Sequence, residues 1–295
     1  MFAQIKDVSL YFDVVGSGLD APDPDLKPKP VLIALSGGYG FDHAYLRLGL
    51  DDLSDQYQII YADMRGQGRS STVKLSTVQF DTMADDVAAL MDLIGLPSAF
   101  VFGHASGSYI AQKIALRHPE KVTGLVLVSS SMGMTVLPSG VYKDYPTPFL
   151  KDRVQGDLLD VAHNFFFNQN AISDEDFQYY SHQVGPYYMA PNNMDQFEGL
   201  FRLISYKMDL VNHFRNINLF FNSEGKANQI TCPVLVMAGT FDWASPAVGS
   251  KMLNDKLTNS EFIEFSESGH FPFIEEHDKF KDLLAEFILK NRTPS

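Results

Sequence analysis

Two short segments in the second half of the chain carry an aspartate and a histidine just past predicted strands. Residues 239–242 read GTFD and end on Asp242, and residues 268–272 read SGHFP and contain His270. A histidine at the carboxyl edge of a sheet can act as a general base, and a neighbouring carboxylate holds it in the required tautomer. The two segments therefore predict an Asp242–His270 pair for proton transfer.

A third segment, residues 103–107 (GHASG), lies between a predicted strand and a predicted helix. This is the setting of a nucleophile elbow, G-x-S-x-G, in which the central residue is strained and its neighbours must be small. The central residue here is Ala105, whose methyl group cannot act as a nucleophile. Ser106 is not expected to replace it, because the residue after the elbow turns into the helix and offers its N–H group. His104 is expected to pack at the elbow.

Two glycine-rich segments follow earlier predicted strands. Residues 36–40 (SGGYG) could bring backbone N–H groups close to a substrate oxygen, although a plain tight turn would have the same composition. Residues 63–70 (DMRGQGRS) indicate a structured loop near a site, or a turn held by pairing of arginine with aspartate.

The order of these features, with the nucleophile position first, then the acid, then the histidine, resembles the α/β-hydrolase superfamily over essentially the whole chain. Residues 36–40 and 63–70 are especially similar to the proline iminopeptidase branch. Two features depart from that branch. Ser36 and Tyr39 stand where it has the His and Pro of a His-Gly-Gly-Pro-Gly segment, and Ser106 stands where it commonly has Trp.

The resemblance implies a role for several residues. Asp242 would orient the histidine and His270 would be the base, since the family's other acid position falls in residues 129–131, which hold no carboxylate. The backbone N–H groups of Gly38 and Ser106 would form the oxyanion hole. No cofactor is implied. The residues expected beside the substrate are Tyr39, His104, Trp243 and Phe271.

The order of predicted elements indicates an α/β fold. Strand and helix patterns alternate along the first half of the chain, which predicts a doubly wound, mostly parallel sheet. The alternation stops near residue 132 and resumes near residue 230, which predicts a helical cap inserted after the sixth strand. Residues 1–131 and 230–295 are therefore assigned to the core and residues 132–229 to the cap. The cap is rich in aromatic residues, since 17 of the chain's 37 lie between Tyr142 and Phe221.

Local signals predict where some helices begin. Ser76 and Gln79 have the spacing of a capping box, which predicts a helix from about Ser76. Ser245 is expected to cap a helix over residues 246–257. The acidic residues 174–176 predict a further helix start that faces solvent.

Ala105 has two interpretations. Either the nucleophile was replaced deliberately, or the natural protein binds its substrate without turnover. We favour deliberate replacement, because the acid, the histidine and the oxyanion glycines are all retained. Serine is the expected original residue. Relatives with an aspartate nucleophile usually place a Trp beside it, whereas the only tryptophan here is Trp243, and cysteine is the third option.

The expected wild-type activity is serine hydrolysis of an ester or lactone. A large aromatic cap favours a bulky, mostly apolar substrate, such as an acyl ester or a macrocyclic lactone of the macrolide type. One alternative is an aminopeptidase of the proline iminopeptidase type, in which Glu198 or Asp195 could hold the free amine. Another is a non-catalytic small-molecule receptor, for which the missing nucleophile is the argument.

The composition limits other partners. A formal net charge of −13 offers no basic face for nucleic acid and argues against an anionic membrane surface. Cys232 is the only cysteine, which excludes an internal disulfide and favours a reducing compartment. No signal-peptide pattern and no apolar run of membrane-spanning length is visible, so a cytoplasmic protein is expected. No histidine has metal-ligand spacing to a second His or Cys. We therefore expect a small-molecule substrate and no metal.

Overall fold

A twisted sheet lies at the centre of the protein. The computed structural model describes residues 1–19, 27–137, 144, 147–154 and 156–292, and eight strands pair in these ranges in the order β1-β2-β4-β3-β5-β6-β7-β8. Strands β3 to β8 are parallel, whereas β1 and β2 form an antiparallel hairpin, and β2 pairs antiparallel with β4. The strands are β1 Phe2–Ile5, β2 Val8–Val15, β3 Val31–Leu35, β4 Gln58–Ala62, β5 Ala99–His104, β6 Val122–Val128, β7 Val234–Gly239 and β8 Ser260–Phe265.

Helices cover both faces of this sheet, as the alternating sequence pattern predicts. They are α1 Arg47–Leu50, α2 Phe80–Leu93, α3 Ser106–Arg117, α4 Thr147–Leu150, α5 Leu158–Phe167, α6 Asp174–Gln183, α7 Gln196–Phe201, α8 Met208–Phe220, α9 Ala247–Asn254, α10 Pro272–Glu275 and α11 His277–Asn291. Short 3-10 turns connect several of them.

The central strands are apolar because both of their sides are buried. In β3, Leu32 and Ala34 pack with residues of α1 and α11 on one face. Ile33 and Leu35 pack with residues of α2 and α3 on the other face. A sheet covered on both sides needs apolar residues at successive positions rather than alternating polar ones. The prediction of a doubly wound, mostly parallel α/β sheet is therefore confirmed.

The parallel arrangement determines where the candidate site lies. Strands β3, β5, β7 and β8 run in the same direction, so their carboxyl ends meet at one edge of the sheet. The segments that follow these ends are residues 36–40, Ala105, Asp242 and His270. In open α/β sheets, ligands bind outside the carboxyl ends of the strands.

Helices α4 to α8 lie between β6 and β7 and form the predicted cap. No strand occurs between Met132 and Gln229 within the part of the chain that the structure describes. Many of the aromatic residues in these helices join the apolar cluster on one face of the sheet, including Phe165, Phe177 and Phe201. The cap therefore shares its core with the sheet domain.

Two predicted helix starts are wrong. Residues Leu75–Thr77 form a separate 3-10 turn, so α2 begins only at Phe80, and its N-cap residue Gln79 makes no side-chain cap. Helix α9 begins at Ala247 with Pro246 rather than Ser245 as its N-cap residue, and the N–H group of Ser245 donates to Asp242. The acidic residues 174–176 do begin a helix, α6, with a capping box between Ser173 and Asp176.

None of the helices in the described ranges combines the length and the apolar character needed to cross a membrane.

Candidate active site

Ala105 occupies a sharp turn between β5 and α3. Its backbone angles are φ 49° and ψ −119°, outside the regions that non-glycine residues normally adopt. Ala105 N–H donates to Val128 O (2.9 Å), and Ala105 O accepts from Ser108 N–H (3.0 Å) and from Ser108 Oγ (2.5 Å). The strained turn is therefore held by β6 and by the first turn of α3, whereas the alanine side chain contributes no bond.

The glycines on either side of the turn are required by close backbone contacts. A Cβ atom at Gly107 would lie 2.3 Å from Leu35 O, and one at Gly103 would lie 2.6 Å from Gly107 O. A Cβ at Gly37 would lie 2.7 Å from the Ala105 methyl group. The turn and the segment at residues 36–40 thus pack too closely for side chains at these glycines.

The predicted acid and base lie in direct contact. His270 Nδ1 is 2.8 Å from Asp242 Oδ2, and both side chains are buried. The other carboxylate oxygen, Asp242 Oδ1, accepts the N–H groups of Ala244 (3.0 Å) and Ser245 (2.8 Å). A carboxylate surrounded by donors acts as an acceptor, so His270 Nδ1 carries the proton. His270 lines a cavity at this edge of the sheet, so its Nε2 is in the position of a general base.

Backbone donors for an oxyanion lie beside Ala105. Ser106 is the first residue of α3, and the N–H groups in the first turn of a helix have no acceptor within it. The Ser106 hydroxyl donates to Gly38 O (2.9 Å), so it is directed at residues 36–40 rather than serving as a nucleophile. Gly38 has φ 81°, a left-handed conformation that suits glycine. Gly38, Ala105, Ser106 and His270 all line one cavity.

A hydrogen-bonded chain joins the three loops of the site. Gly37 N–H donates to Tyr45 Oη (2.7 Å), and Tyr45 Oη is 2.8 Å from His104 Nδ1. His104 Nε2 is 2.8 Å from His270 O, which also accepts from Ser129 Oγ (3.0 Å). Burial holds the pKa of His104 well below its usual value, so the ring is neutral. A neutral ring that donates from Nε2 to a carbonyl accepts at Nδ1, which assigns Tyr45 as the donor there.

Tyr45 was not among the predicted site residues, and the predicted role of His104 was incomplete. His104 lines the cavity, and both of its ring nitrogens bond to protein groups. Tyr45 belongs to no motif and lies 59 residues before its partner His104. No local signal in the sequence could have paired them.

Many of the side chains that line the cavity above these groups are aromatic. This cavity encloses about 1150 Å³ including its open mouth. Tyr39 and Phe271, two of the residues expected beside the substrate, line it. Further rings come from the cap, where Phe165 stacks on Tyr180 with ring centroids 3.7 Å apart, and Tyr180 Oη lies 2.6 Å from Tyr188 Oη. The cap aromatics that line the cavity are Phe165, Phe166, Phe177, Tyr180, Tyr188, Phe197 and Phe201.

The charges around the cavity do not suit a substrate amine. None of the described residues that line it is an aspartate or a glutamate. The Glu198 side chain is 43% exposed and pairs with His182 and Arg202, and Asp195 is exposed. Neither of the two carboxylates considered for amine binding therefore reaches the cavity.

Arg215 is the permanent cation in the cavity wall. Its guanidinium donates to Phe165 O and Asn170 O (2.9 Å each), Asn168 O (2.5 Å) and Asn212 Oδ1 (3.2 Å). Burial lowers its pKa, but the neighbouring carbonyls at the end of α5 stabilise the charge. The described part of the wall thus has a cation and no carboxylate.

Comparison with protein families agrees with this geometry. The model described as alpha/beta hydrolase fold matches residues 30–277 of the chain. The chain belongs to the α/β-hydrolase fold family.

Individual relatives of this α/β-hydrolase are distant. It is 24% identical over 305 residues to the proline iminopeptidase of Thermoplasma volcanium, with 98% of this chain and 96% of the relative covered. It is 28% identical over 280 residues to a protein of Agrobacterium fabrum named "Putative carbamate hydrolase RutD", with 95% and 98% covered. A solved esterase from Exiguobacterium antarcticum superposes with a TM-score of 0.75 at 20% identity, over 97% of this chain and 98% of the esterase. The last comparison shows a common fold.

The structure corrects the prediction for Trp243. Its side chain is fully buried and does not line the α/β-hydrolase cavity. The indole packs instead against Phe166 and Tyr188, with ring centroids 5.8 Å and 4.8 Å away. Trp243 therefore supports the wall from behind rather than contacting a substrate.

Residues 63–70 have a structural role in this α/β-hydrolase. Asp63 is buried and accepts from His43 Nδ1 (2.7 Å) and from the N–H group of Arg69 (3.0 Å). Arg65 forms a buried ion pair with Asp86 (2.7 Å). Of the two interpretations of this loop, a turn held by arginine–aspartate pairing is the one that describes it. The aspartate that pairs with Arg65 is Asp86, which lies on α2.

No group of three or more metal-ligating side chains occurs among the residues described.

Proposed function

We propose that this site is built to hydrolyse a carboxylic ester or lactone by a serine mechanism, and that Ala105 stands where the serine acts. The observation that carries the proposal is the turn at Ala105, which keeps the strained conformation of a nucleophile elbow beside the Asp242–His270 pair. A turn of φ 49° costs free energy and is explained by display of a side chain toward the cavity.

Each group then has a defined task in the form that carries serine. The serine Oγ attacks the carbonyl carbon while His270 Nε2 takes its proton, and Asp242 stabilises the imidazolium that forms. The N–H groups of Gly38 and Ser106 receive the negative charge on the carbonyl oxygen. His270 returns the proton to the leaving alcohol, and water then hydrolyses the acyl-enzyme by the same steps.

The cavity wall supports an ester or lactone over an aminoacyl substrate. An aminopeptidase needs an acceptor for the free α-amino group, whereas the described wall holds Arg215 and no carboxylate. It is unfavourable to bury the ammonium group of a substrate near Arg215 when none of the described lining residues is a carboxylate. The aromatic rings favour a bulky apolar acyl or alcohol group, and a macrocyclic lactone of the macrolide type fits this description.

Without the serine, this chain forms no acyl-enzyme. We propose that it binds the substrate in the geometry for attack and does not turn it over by the serine route. We propose, as before, that Ala105 arose by deliberate replacement of the nucleophile. A receptor with no hydrolytic counterpart is the alternative, in which serine at this position would have no effect.

The test is to restore serine with Ala105→Ser and to compare hydrolysis of p-nitrophenyl esters, a macrolide, small lactones, p-nitrophenyl carbamate and prolyl-naphthylamide. We expect ester or lactone hydrolysis with a kcat on the order of a million-fold above that of the unchanged chain, the size of effect found when a triad nucleophile is removed. The matched control is Ala105→Ser with His270→Gln.

The outcome discriminates between the candidate functions. No turnover of any ester or lactone by the serine variant would overturn the proposal and favour the receptor. Preference for prolyl-naphthylamide would establish the aminopeptidase instead. Preference for p-nitrophenyl carbamate would place the protein with its Agrobacterium relative.

A further inference from the structure

We infer that the unchanged chain has a hydrolytic activity of its own, in which His270 activates a water molecule that attacks the substrate carbonyl directly. The inference rests on the site of the proposed function but not on a serine. It concerns activated acyl compounds, such as aryl esters and aryl carbamates, whose leaving groups depart easily.

The first observation is that the general base is complete. His270 Nδ1 donates to Asp242, and Asp242 in turn is held by two backbone N–H groups. The main chain of His270 is fixed as well, because its N–H donates to Tyr188 O (2.7 Å) and its carbonyl accepts from His104 and Ser129. None of these bonds depends on the side chain at position 105. The base is thus positioned whether or not a nucleophile is present.

The second observation is the space and polarity beside the alanine. Ala105 displays a methyl group where serine would display a hydroxyl, and both Ala105 and His270 line the cavity. His270 Nε2 can accept a hydrogen bond from a water molecule in this space, while the N–H groups of Gly38 and Ser106 stay available for the carbonyl oxygen of the substrate.

The third observation is that the oxyanion donors keep their places. Residues 36–40 are tied to the turn by the bond from Ser106 Oγ to Gly38 O, and to the core by the bond from Gly37 N–H to Tyr45 Oη. Asn218 Nδ2 adds a longer contact to Gly38 O at 3.3 Å. Pre-positioned donors of this kind stabilise the same oxyanion, whether serine or water attacks.

The reaction balances with water as the only co-reactant. The water oxygen forms a bond to the carbonyl carbon while one of its protons passes to His270 Nε2, and the carbonyl electron pair moves onto the oxygen held by the two N–H groups. The tetrahedral intermediate then breaks the bond to the leaving oxygen, which takes the proton back from His270. The products are the acid and the alcohol, and no covalent enzyme intermediate forms.

The experiment is a cycle of four proteins that combines alanine or serine at position 105 with histidine or glutamine at position 270. Each is assayed with p-nitrophenyl acetate and p-nitrophenyl carbamate. His270→Gln keeps a polar side chain of similar size but removes the base. We expect the unchanged chain to exceed the buffer rate, and His270→Gln to lower its kcat/KM at least tenfold. Asp242→Asn gives a second variant that disturbs the same base.

Two further readouts identify water as the nucleophile. The unchanged chain should be slower in D2O, since a proton is in transfer at the transition state. Mass spectrometry during turnover should show no acylated protein, whereas the Ala105→Ser protein with Asp242→Asn should accumulate an acyl adduct. The control is Glu175→Gln on the exposed surface of the cap, which should leave the rate unchanged.

The results separate this inference from the proposed function. If the unchanged chain and its His270→Gln variant hydrolyse both substrates at the same rate, or if the unchanged chain becomes acylated, the water route is overturned. The serine proposal fails separately, if Ala105→Ser adds no activity to that of the unchanged chain.

Discussion

The carboxyl edge of the sheet, here called the rim, carries Ala105, Asp242 and His270, and the cap wall carries rings such as Phe165. The rim and the cap wall lie on two sides of one cavity, but they are held by different interactions. At the rim, Ala105, Asp242 and His270 are fixed by hydrogen bonds to backbone groups. In the cap wall, Phe165 and its neighbours are held by ring contacts such as the stack on Tyr180. A hydrogen bond restricts the relative direction of the two groups that it joins, whereas packed rings can shift relative to one another. We therefore expect the rim to determine what reaction is possible and the cap to determine which molecule fits.

The strongest test of this comparison is the tyrosine that holds the rim together. Tyr45→Phe, made with Ala105→Ser, removes one hydroxyl and leaves Gly37 N–H and His104 Nδ1 without their partners. We expect kcat to fall about 10- to 100-fold with KM nearly unchanged, because small displacements of reacting groups have effects of this size. Steady-state kinetics with one p-nitrophenyl ester measures both constants.

A matched control for this variant is Tyr57→Phe. Tyr57 is also buried, and its hydroxyl makes only a long contact to the neighbouring Gln56 (3.4 Å). It should leave kcat unchanged. An equal rise of KM in Tyr45→Phe with kcat preserved would mean that the chain of bonds serves binding rather than positioning.

The cap should respond in the opposite way. Phe165→Leu removes a ring that stacks on Tyr180, meets Tyr39 edge to face and lies 5.1 Å from the Arg215 guanidinium carbon. With Ala105→Ser, we expect KM for bulky aromatic esters to rise about tenfold, while kcat and the hydrolysis of p-nitrophenyl acetate stay nearly constant. The free energy of unfolding should fall by about 1–2 kcal/mol, as for the loss of an aromatic pair.

Kinetics on the two esters and urea unfolding measure these effects. Phe220→Leu, at an exposed position of the same helix as Arg215, is the control and should alter neither. A large loss of kcat in Phe165→Leu would erase the distinction between the rim and the cap.

The smallest expected effect concerns a partly exposed charge pair between α2 and the end of α3, away from the cavity. Asp85 on α2 accepts hydrogen bonds from Arg117 Nη2 (2.7 Å) and His118 Nε2 (2.8 Å) at the end of α3. Its hydrogen bonds with Arg117 lower the pKa of Asp85 from 3.8 to about 2. A carboxyl with a folded-state pKa below its unfolded value stabilises the fold above pH 4, and this contribution is lost as the pH falls toward 2.

Asp85→Asn should therefore lower the free energy of unfolding at pH 7, by less than about 1 kcal/mol because the pair is partly exposed. The difference from the unchanged chain should vanish near pH 2. Urea unfolding across this range measures it. Glu224→Gln, at an exposed position of the cap, is the control. A difference that persists at pH 2 would contradict the role of the ionised carboxylate.

The sequence predicted the features that depend on the order of strands and helices along the chain. It did not predict the features that depend on contacts formed only in the folded protein. Alternating strands and helices determine a parallel sheet, and a parallel sheet brings the ends of β5, β7 and β8 to one edge. This is why the segments with Ala105, Asp242 and His270 could be placed together. The glycines beside Ala105 marked the turn because close backbone contacts demand them.

The remaining features have no local signal. Tyr45 meets His104 only through the packing of α1 and its preceding turn against the sheet. Trp243 follows Asp242 directly, yet the loop turns its ring behind the wall rather than into the cavity. Ser76 and Ser245 have the right residue type for helix caps, but Ser76 lies in a separate 3-10 turn and Pro246 takes the N-cap position of α9. Capping patterns are local preferences, and the surrounding contacts override them.

The turn at Ala105 has a consequence for how the protein could change. The shape of the turn depends on Gly103 and Gly107, on the hydrogen bond that Ala105 N–H donates to Val128 O, and on the bonds that Ala105 O accepts from Ser108. It does not depend on the side chain at position 105. A single nucleotide change converts any alanine codon of the GCN type to a serine codon, and an alanine codon ending in a pyrimidine to an aspartate codon. The fold is therefore one point mutation from carrying a nucleophile, and it would need no compensating change to receive one.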